Sequence, residues 1–365
     1  MSVETPPERL PHLPSVQVLR GFATLGVLLA HLYAVEGKYS PDRLLGRWSD
    51  LGHWGVDIFF VISGFIMVYV TWNAPRGHGQ VPLYLWRRAT RIYPLYWAIS
   101  LVILVLWLIR PDMVFGSNPD PDILRSFLLY PQSGSPLLAV GWTLVHEVYF
   151  YLVFALILLV SRRWVLPFLA LWSAIAVAGW FWAEPRIPTF QLVFSPLTLE
   201  FTAGAAFGCW YAGATPEARR QPLLSAACFA MAAVLVMVVG FTQDDLIAYA
   251  ADYALRVPLY GSAALFAFAG LLLSGWQVGR VAEWLGDISY SLYLTHVMAL
   301  TVVAQIAKRF LGSGYVDNVI LIMSMTATAL VAGHLTYRFV EKPLIDLFRR
   351  RRRPAPARDG VPASG

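Results

Sequence analysis

A chain of 365 residues with 58% apolar and only 14% charged positions cannot clothe a soluble globule, whose charged fraction is usually about a quarter. Its 14 Trp, 17 Tyr, 21 Phe and mean hydropathy of +0.58 belong to a chain solvated mainly by lipid. The net charge of +6 needs no nucleic acid to explain it.

The N-terminal stretch MSVETPPERLPHLPSVQVLRG places acidic residues and prolines ahead of the first apolar run. It lacks the basic start and small-residue cleavage site of a signal peptide, so that run is expected to be retained. Apolar stretches of spanning length follow at 19–35, 55–72, 92–109, 142–160, 164–182, 192–212, 223–241, 255–274, 288–307 and 317–338. They predict an all-α, polytopic transmembrane bundle of about ten helices. Short or proline-marked connections around the fifth, sixth and eighth runs leave room for a shallow or re-entrant helix. The longest connection, 110–141, is rich in proline and contains ILRSFLLY, expected as an interfacial helix or part of a lid.

Basic residues concentrate in the segments that would share the N-terminal side. These hold Arg9 and Arg20, then Arg76 to Arg91, Arg162 with Arg163, Arg219 with Arg220, Arg280, and the tail with Arg349 to Arg353. The loop with Asp244, Asp245 and Asp252 has no basic residue before Arg256. Both termini are therefore expected in the cytoplasm, with the tail's basic run anchoring topology against anionic lipids. The expected organisation is a cytoplasmic segment 1–15, a membrane-embedded domain 16–345 and a basic tail 346–365. Cys209 and Cys228 match no metal-ligand spacing, and no metal site is expected.

Charge inside a span is costly enough to mark a candidate site. Arg20 and His31 lie 11 residues apart in LRGFATLGVLLAHLY. That is about 1100 degrees of helical rotation and about 16 Å of rise, which puts them on one face at different depths. A neutral imidazole there can take a proton from a hydroxyl, the alternative being a packed histidine bonded to a neighbouring helix. Asp57 in GHWGVDIFFVISGF can orient a catalytic residue or cap its own helix, and Ser63–Gly64 permits close helix approach. Arg87, Arg88 and Arg91 open the third span, where Arg88 and Arg91 share a face suited to gripping phosphate oxygens, against simple positive-inside anchoring.

Further along, His146 and Glu147 are expected near the outer end of the fourth span, with Tyr151 on the face of Glu147. A carboxylate at such depth needs a partner, with His31, Arg186 or a substrate hydroxyl as candidates. In LGDISYSLYLTHVM, Ser289, Tyr293 and His296 form a polar stripe facing the bundle interior, with Asp287 towards the cytoplasmic end. The expected depth of His296, nearer the inner side, favours donor or packing contacts over a role as base.

These segments, in order, resemble the acyltransferase 3 family of integral membrane acyltransferases that modify cell-surface and secreted sugars, and within it the exopolysaccharide-modifying branch. The match rests on Arg20 with ten residues before His31, VDIFFVISGF, RRATRIYPLY, WTLVHEVYFY, LGDISYSLYLTH and the terminal YRFVEKPL. The resemblance implies transfer of an acyl group other than an amino-acyl group, with acetyl the default, from acyl-CoA to a carbohydrate hydroxyl. Acyl-CoA is then a cosubstrate, with no permanently bound cofactor. His31 is implied as the essential histidine, with Glu147 and Asp57 as further catalytic candidates. Arg20, Arg87, Arg88, Arg91, Tyr293 and His296 are the candidates for holding the donor. His146 departs from the family pattern, in which a tyrosine often stands.

Expected partners are a glycan or lipid-linked glycan acceptor, anionic lipids and polysaccharide synthesis or export proteins, in the bacterial inner membrane. Any handover is expected within the bundle or through another protein. The alternatives are a transporter of a sugar or lipid-linked precursor and a noncatalytic polysaccharide-assembly subunit.

Overall fold

The computed structural model describes residues 11, 13–40, 42–110, 114, 121–182, 187–242, 252–276, 279–310, 312 and 314–350. Arg9, Arg186, Asp244, Asp245 and the tail beyond Arg350 lie outside them. Ten helices are long and apolar enough to cross a membrane. They are α1 (Pro14–Tyr39), α2 (Arg47–Thr71), α3 (Gln80–Ile109), α4 (Ala139–Ile157), α5 (Arg162–Trp182), α6 (Pro188–Gly213), α7 (Pro222–Thr242), α8 (Tyr253–Ser274), α9 (Arg280–Ala307) and α10 (Tyr315–Arg349). No strand occurs among the described residues. Each expected apolar run falls on one of these helices, because a run that long satisfies its backbone in lipid only by coiling.

The helix starts differ in a way that matters for the site. α1 begins at Pro14, α3 at Gln80 and α9 at Arg280, one to three turns before the apolar runs begin. Polar and charged first turns continue the same helices, so Arg20, Arg88 and Arg91 sit within helices rather than at their edges.

α1 packs along α9, which in turn packs along α10, while α2 lies along α6. The α2–α6 seam is as close as the Ser63–Gly64 pair suggested. A Cβ on Gly64 would fall 1.9 Å from the Phe201 carbonyl oxygen, and one on Gly204 would fall 2.0 Å from that of Val61. α6 is interrupted after Val193 and resumes at Thr198, where Pro196 removes a backbone donor.

Two π-turns interrupt otherwise regular spans. One covers Val257–Gly261 in α8 and contains Pro258; the other covers Tyr337–Glu341 in α10 and precedes Pro343. A proline clashes with the carbonyl four residues back, and a wider turn relieves that clash. The first turn follows a buried charge, Arg256, and the second ends on one, Glu341, both 2% exposed.

The expected interfacial piece forms a short helix, Ile123–Leu128, with Leu124 and Leu128 exposed. Three aromatic side chains of α3 tie it down. The Tyr96 hydroxyl donates to Ser126 O at 2.6 Å, the Trp97 indole to Phe127 O at 2.8 Å and the Tyr93 hydroxyl to Leu128 O at 3.0 Å.

Candidate active site

Two groups of polar side chains in the interior carry the sequence candidates, separated along α1 by the rise from Arg20 to His31. The first is a histidine group. α1 and α9 place His31 and His296 edge to face, with ring centroids 4.8 Å apart. His296 Nδ1 donates to Tyr293 O at 2.7 Å and faces Leu292 O at 3.1 Å, which leaves Nε2 as its lone-pair nitrogen. That nitrogen lies 3.3 Å from His31 Nδ1, which also donates to Val27 O at 2.9 Å. The network assigns the tautomer of His31: Nδ1 carries the hydrogen and Nε2 keeps its lone pair. No described residue partners Nε2, so it is the one position from which this ring can accept a proton.

His296 therefore stands level with His31, not towards the opposite end as expected from the sequence. The reason is the early start of α9: eight residues more of helix place His296 about 12 Å further in than a start at 288 implies. Tyr293, one turn away, turns to α4, sharing a hydrogen bond with the Thr143 hydroxyl at 2.8 Å and donating to Val140 O at 3.2 Å. Ser289, Tyr293 and His296 are all buried, as the polar stripe predicted, whereas Asp287 is exposed.

The second group holds the arginines. Arg88 lies over the rings of Tyr84 and Tyr151, at 5.6 and 5.7 Å. Arg91 faces the Tyr290 ring at 5.9 Å and pairs with Glu341 at 3.5 Å, while Ser291 donates to the other oxygen of Glu341 at 2.6 Å. Arg20 donates to Gln17 at 3.1 Å and lies within electrostatic reach of Arg91, Glu341 and Glu147. Neither Arg20 nor Arg88 has a salt bridge among the described residues, and Arg88 Nε is buried without a hydrogen-bond partner. Arg87 is exposed.

Glu147 belongs to this second group. It accepts from Ser63 at 3.2 Å and from the Tyr151 hydroxyl, its predicted same-face neighbour. It lies near mid-helix in α4 and not near an end, because that helix begins at Ala139 and closes at Ile157. His146, the adjacent residue, donates from Nδ1 to Trp142 O at 3.0 Å and packs against Phe60, Trp142 and Tyr253.

Asp57 is wholly buried and makes no helix cap. Its carboxylate grips Arg256 of α8 through Nη2 at 2.6 Å and Nε at 2.9 Å. The same guanidinium donates to His53 O at 3.2 Å, so Asp57 reaches the histidine group only through Arg256. Neither Arg256 nor Glu341 was singled out by the sequence, although YRFVEKPL contains the latter. Nor does the sequence pattern mark His53, whose ring lies 5.8 Å from that of His31.

A cleft of about 470 Å³ opens past the histidine group, lined by Lys38, Tyr39, Lys308, Asp317 and Asn318 among others. It lies two or more turns beyond His31 on α1 and His296 on α9, and is separate from the rings themselves. Among the described residues, no cluster of His, Cys, Asp and Glu is arranged to hold a metal ion.

Ten long apolar helices that enclose a pair of histidines and, at another level, a group of arginines fit an integral membrane enzyme. Residues 13–338 match a family described as an acyltransferase domain, and the chain belongs to that family, acyltransferase 3. It is 32% identical to the exopolysaccharide production protein ExoZ of Rhizobium meliloti, over 84% of this chain and 94% of that protein. It is 28% identical to the acyltransferase MdmB of Streptomyces mycarofaciens, with 98% of each chain covered. Similarity to the O-acetyltransferase OatA of Staphylococcus aureus is 22% over 91% of this chain, which spans only 57% of that longer protein. No solved structure matches the chain. The protein is a multi-pass membrane acyltransferase.

Proposed function

We propose that the chain transfers an acyl group, acetyl in the first instance, from acyl-CoA to a carbohydrate hydroxyl of a cell-surface or exported polysaccharide. The observation that carries this reading is the lone-pair Nε2 of His31, fixed in direction by Val27 and His296, on the same helix as Arg20. The similarity to an exopolysaccharide production protein over nearly its whole length supports a polysaccharide acceptor.

The arginine group receives the donor. Arg20, Arg88 and Arg91 hold the phosphates of coenzyme A, while Glu147 orients Ser63 and Tyr151 and limits the positive charge. The pantetheine arm spans the distance of about 16 Å to His31, a length that matches the helical rise between Arg20 and the base. His31 Nε2 takes the proton of the acceptor hydroxyl as its oxygen attacks the thioester carbonyl. The tetrahedral intermediate collapses, the C–S bond breaks, and the thiolate leaves and takes back the proton. Transfer is direct: the Ser63 hydroxyl is engaged by Glu147 and lies about 15 Å along α2 from His53, and no described histidine hydrogen-bonds to it.

His296 and Asp57 act as positioning residues, the first on His31 and the second through Arg256, and Tyr293 fixes the seam between α4 and α9. Residues 16–345 form the membrane domain, in the bacterial inner membrane. The flanking segments 1–15 and 346–365 lie in the cytoplasm, the second against anionic lipid. Polysaccharide synthesis or export proteins supply the acceptor.

The test is the ester content of the polysaccharide made by a producing strain that lacks this chain and is complemented with wild type or His31→Ala, read by NMR of the purified polymer. The expected result is full ester content with wild type and none with the variant at equal membrane abundance. Equal ester content in both strains would contradict the proposal.

A further inference from the structure

The geometry points to His53 as an acceptor-binding residue: its Nε2 accepts a hydrogen bond from the sugar hydroxyl adjacent to the one that His31 deprotonates. This inference rests on the acyl-transfer reading above and narrows its acceptor to a saccharide with hydroxyls on neighbouring carbons.

His53 ends the 3-10 turn Arg47–His53 that opens α2. The turn lies backbone against backbone on α1. A Cβ on Gly52 would fall 2.0 Å from Gly26 O, a contact that only glycine permits. That approach carries the His53 ring to 5.8 Å from the His31 ring, tilted by 54°.

Buried charges then hold both ends of the residue. Its Nδ1 donates to Asp50 O at 3.0 Å and lies 3.1 Å from Asp50 Oδ1. Asp50 is 2% exposed, and apart from this imidazole its carboxylate oxygens meet no hydrogen-bond partner among the described residues. Leaving a carboxylate buried with so little compensation is costly. What the arrangement achieves is to orient one imidazole, with hydrogen on Nδ1 and the lone pair on Nε2. At the other end the His53 carbonyl accepts from Arg256, itself locked to Asp57.

The His53 side chain is 27% exposed. Its Nε2, like that of His31, meets no described partner. Two imidazoles whose rings lie 5.8 Å apart, each with an open Nε2, match two neighbouring hydroxyl donors, which a sugar ring supplies and an isolated alcohol does not. A site built to pair both hydroxyls penalises an acceptor that leaves one imidazole unpaired.

The experiment measures steady-state transfer by the purified, detergent-solubilised full chain, using labelled acetyl-CoA and the producing strain's polysaccharide after mild base deacylation. KM is determined separately for acceptor and donor in wild type, His53→Ala, His53→Gln and Asp50→Asn. Loss of one hydrogen bond predicts a rise of about five-fold in acceptor KM for His53→Ala, with donor KM within about two-fold of wild type. His53→Gln, which keeps an accepting oxygen, recovers part of the loss and carries the test if the alanine variant fails to fold. Asp50→Asn falls between. An unchanged acceptor KM, an equal rise in both KM values or a fall in kcat alone overturns the assignment. A wild-type protein inactive with this donor and polymer removes the acyl-transfer reading and this inference with it.

Discussion

His31 has one nitrogen committed to Val27 and His296 and the other without a described partner, so its neighbours set the direction of the proposed base. Removing it should abolish turnover: general-base catalysis is worth about a hundred- to ten-thousand-fold, and His31→Ala is expected to lose at least the lower figure in kcat. His296→Ala should lower kcat by about ten-fold and leave donor KM unchanged, a split that separates orientation of His31 from donor binding; stopped assays at saturating acyl-CoA resolve it. At the other group, Arg88→Ala should raise donor KM by about ten-fold or more, the worth of a charge-assisted hydrogen bond, while Arg87→Ala on the exposed side should not. The sequence made Arg20, His31, Arg88 and Arg91 legible because each is a costly group at helical spacing within or beside an apolar run. It hid the pairing of Asp57 with Arg256, since the partners lie 199 positions apart and only the folded bundle brings them together. It hid His53 for a related reason: the residue precedes the apolar run, and its significance comes from a contact with α1.

At the level of the helices, the existence of all ten was readable, as were most of their starts, but the starts of α1, α3 and α9 were not. Hydropathy registers where lipid-compatible residues begin, whereas the helix begins where its backbone bonds begin, and α9 keeps its polar turns from Arg280 to Asp287. That offset misplaced His296 by two turns and put the arginines at helix edges. The seam between α1 and α9 is tight at Gly286, where a Cβ would fall 2.1 Å from Gln17 O. Gly286→Ala should therefore force the helices apart beside Arg20 and cost about 1–3 kcal/mol, seen as a lower midpoint in thermal unfolding in detergent. The α2–α8 contact offers a sharper comparison, because Asp57 and Glu200 are both buried near one guanidinium. Asp57→Asn removes the carboxylate that Arg256 grips and should cost about 3–5 kcal/mol, whereas Glu200→Gln leaves the pair intact and should cost less.

For the molecule as a whole, the proposed topology, in which all ten helices cross, returns the chain to its starting side. Reporter fusions at both ends should therefore give the same cytoplasmic signal, and opposite signals would require one helix to be re-entrant. Across the bundle, the histidine group and the arginine group stand at two depths, joined by α1 and enclosed by α2, α4 and α9. Purified protein separates the proposed roles of the two groups. Detergent-solubilised wild type, His31→Ala and Arg88→Ala are incubated with labelled acetyl-CoA and deacylated polysaccharide, and label in the polymer is measured across donor concentrations. Wild type should show saturable transfer, His31→Ala at most about a hundredth of that rate at any donor concentration, and Arg88→Ala transfer that approaches the wild-type rate only at high donor. Undiminished transfer by a folded His31→Ala protein, or a donor response in Arg88→Ala identical to wild type, would contradict those roles.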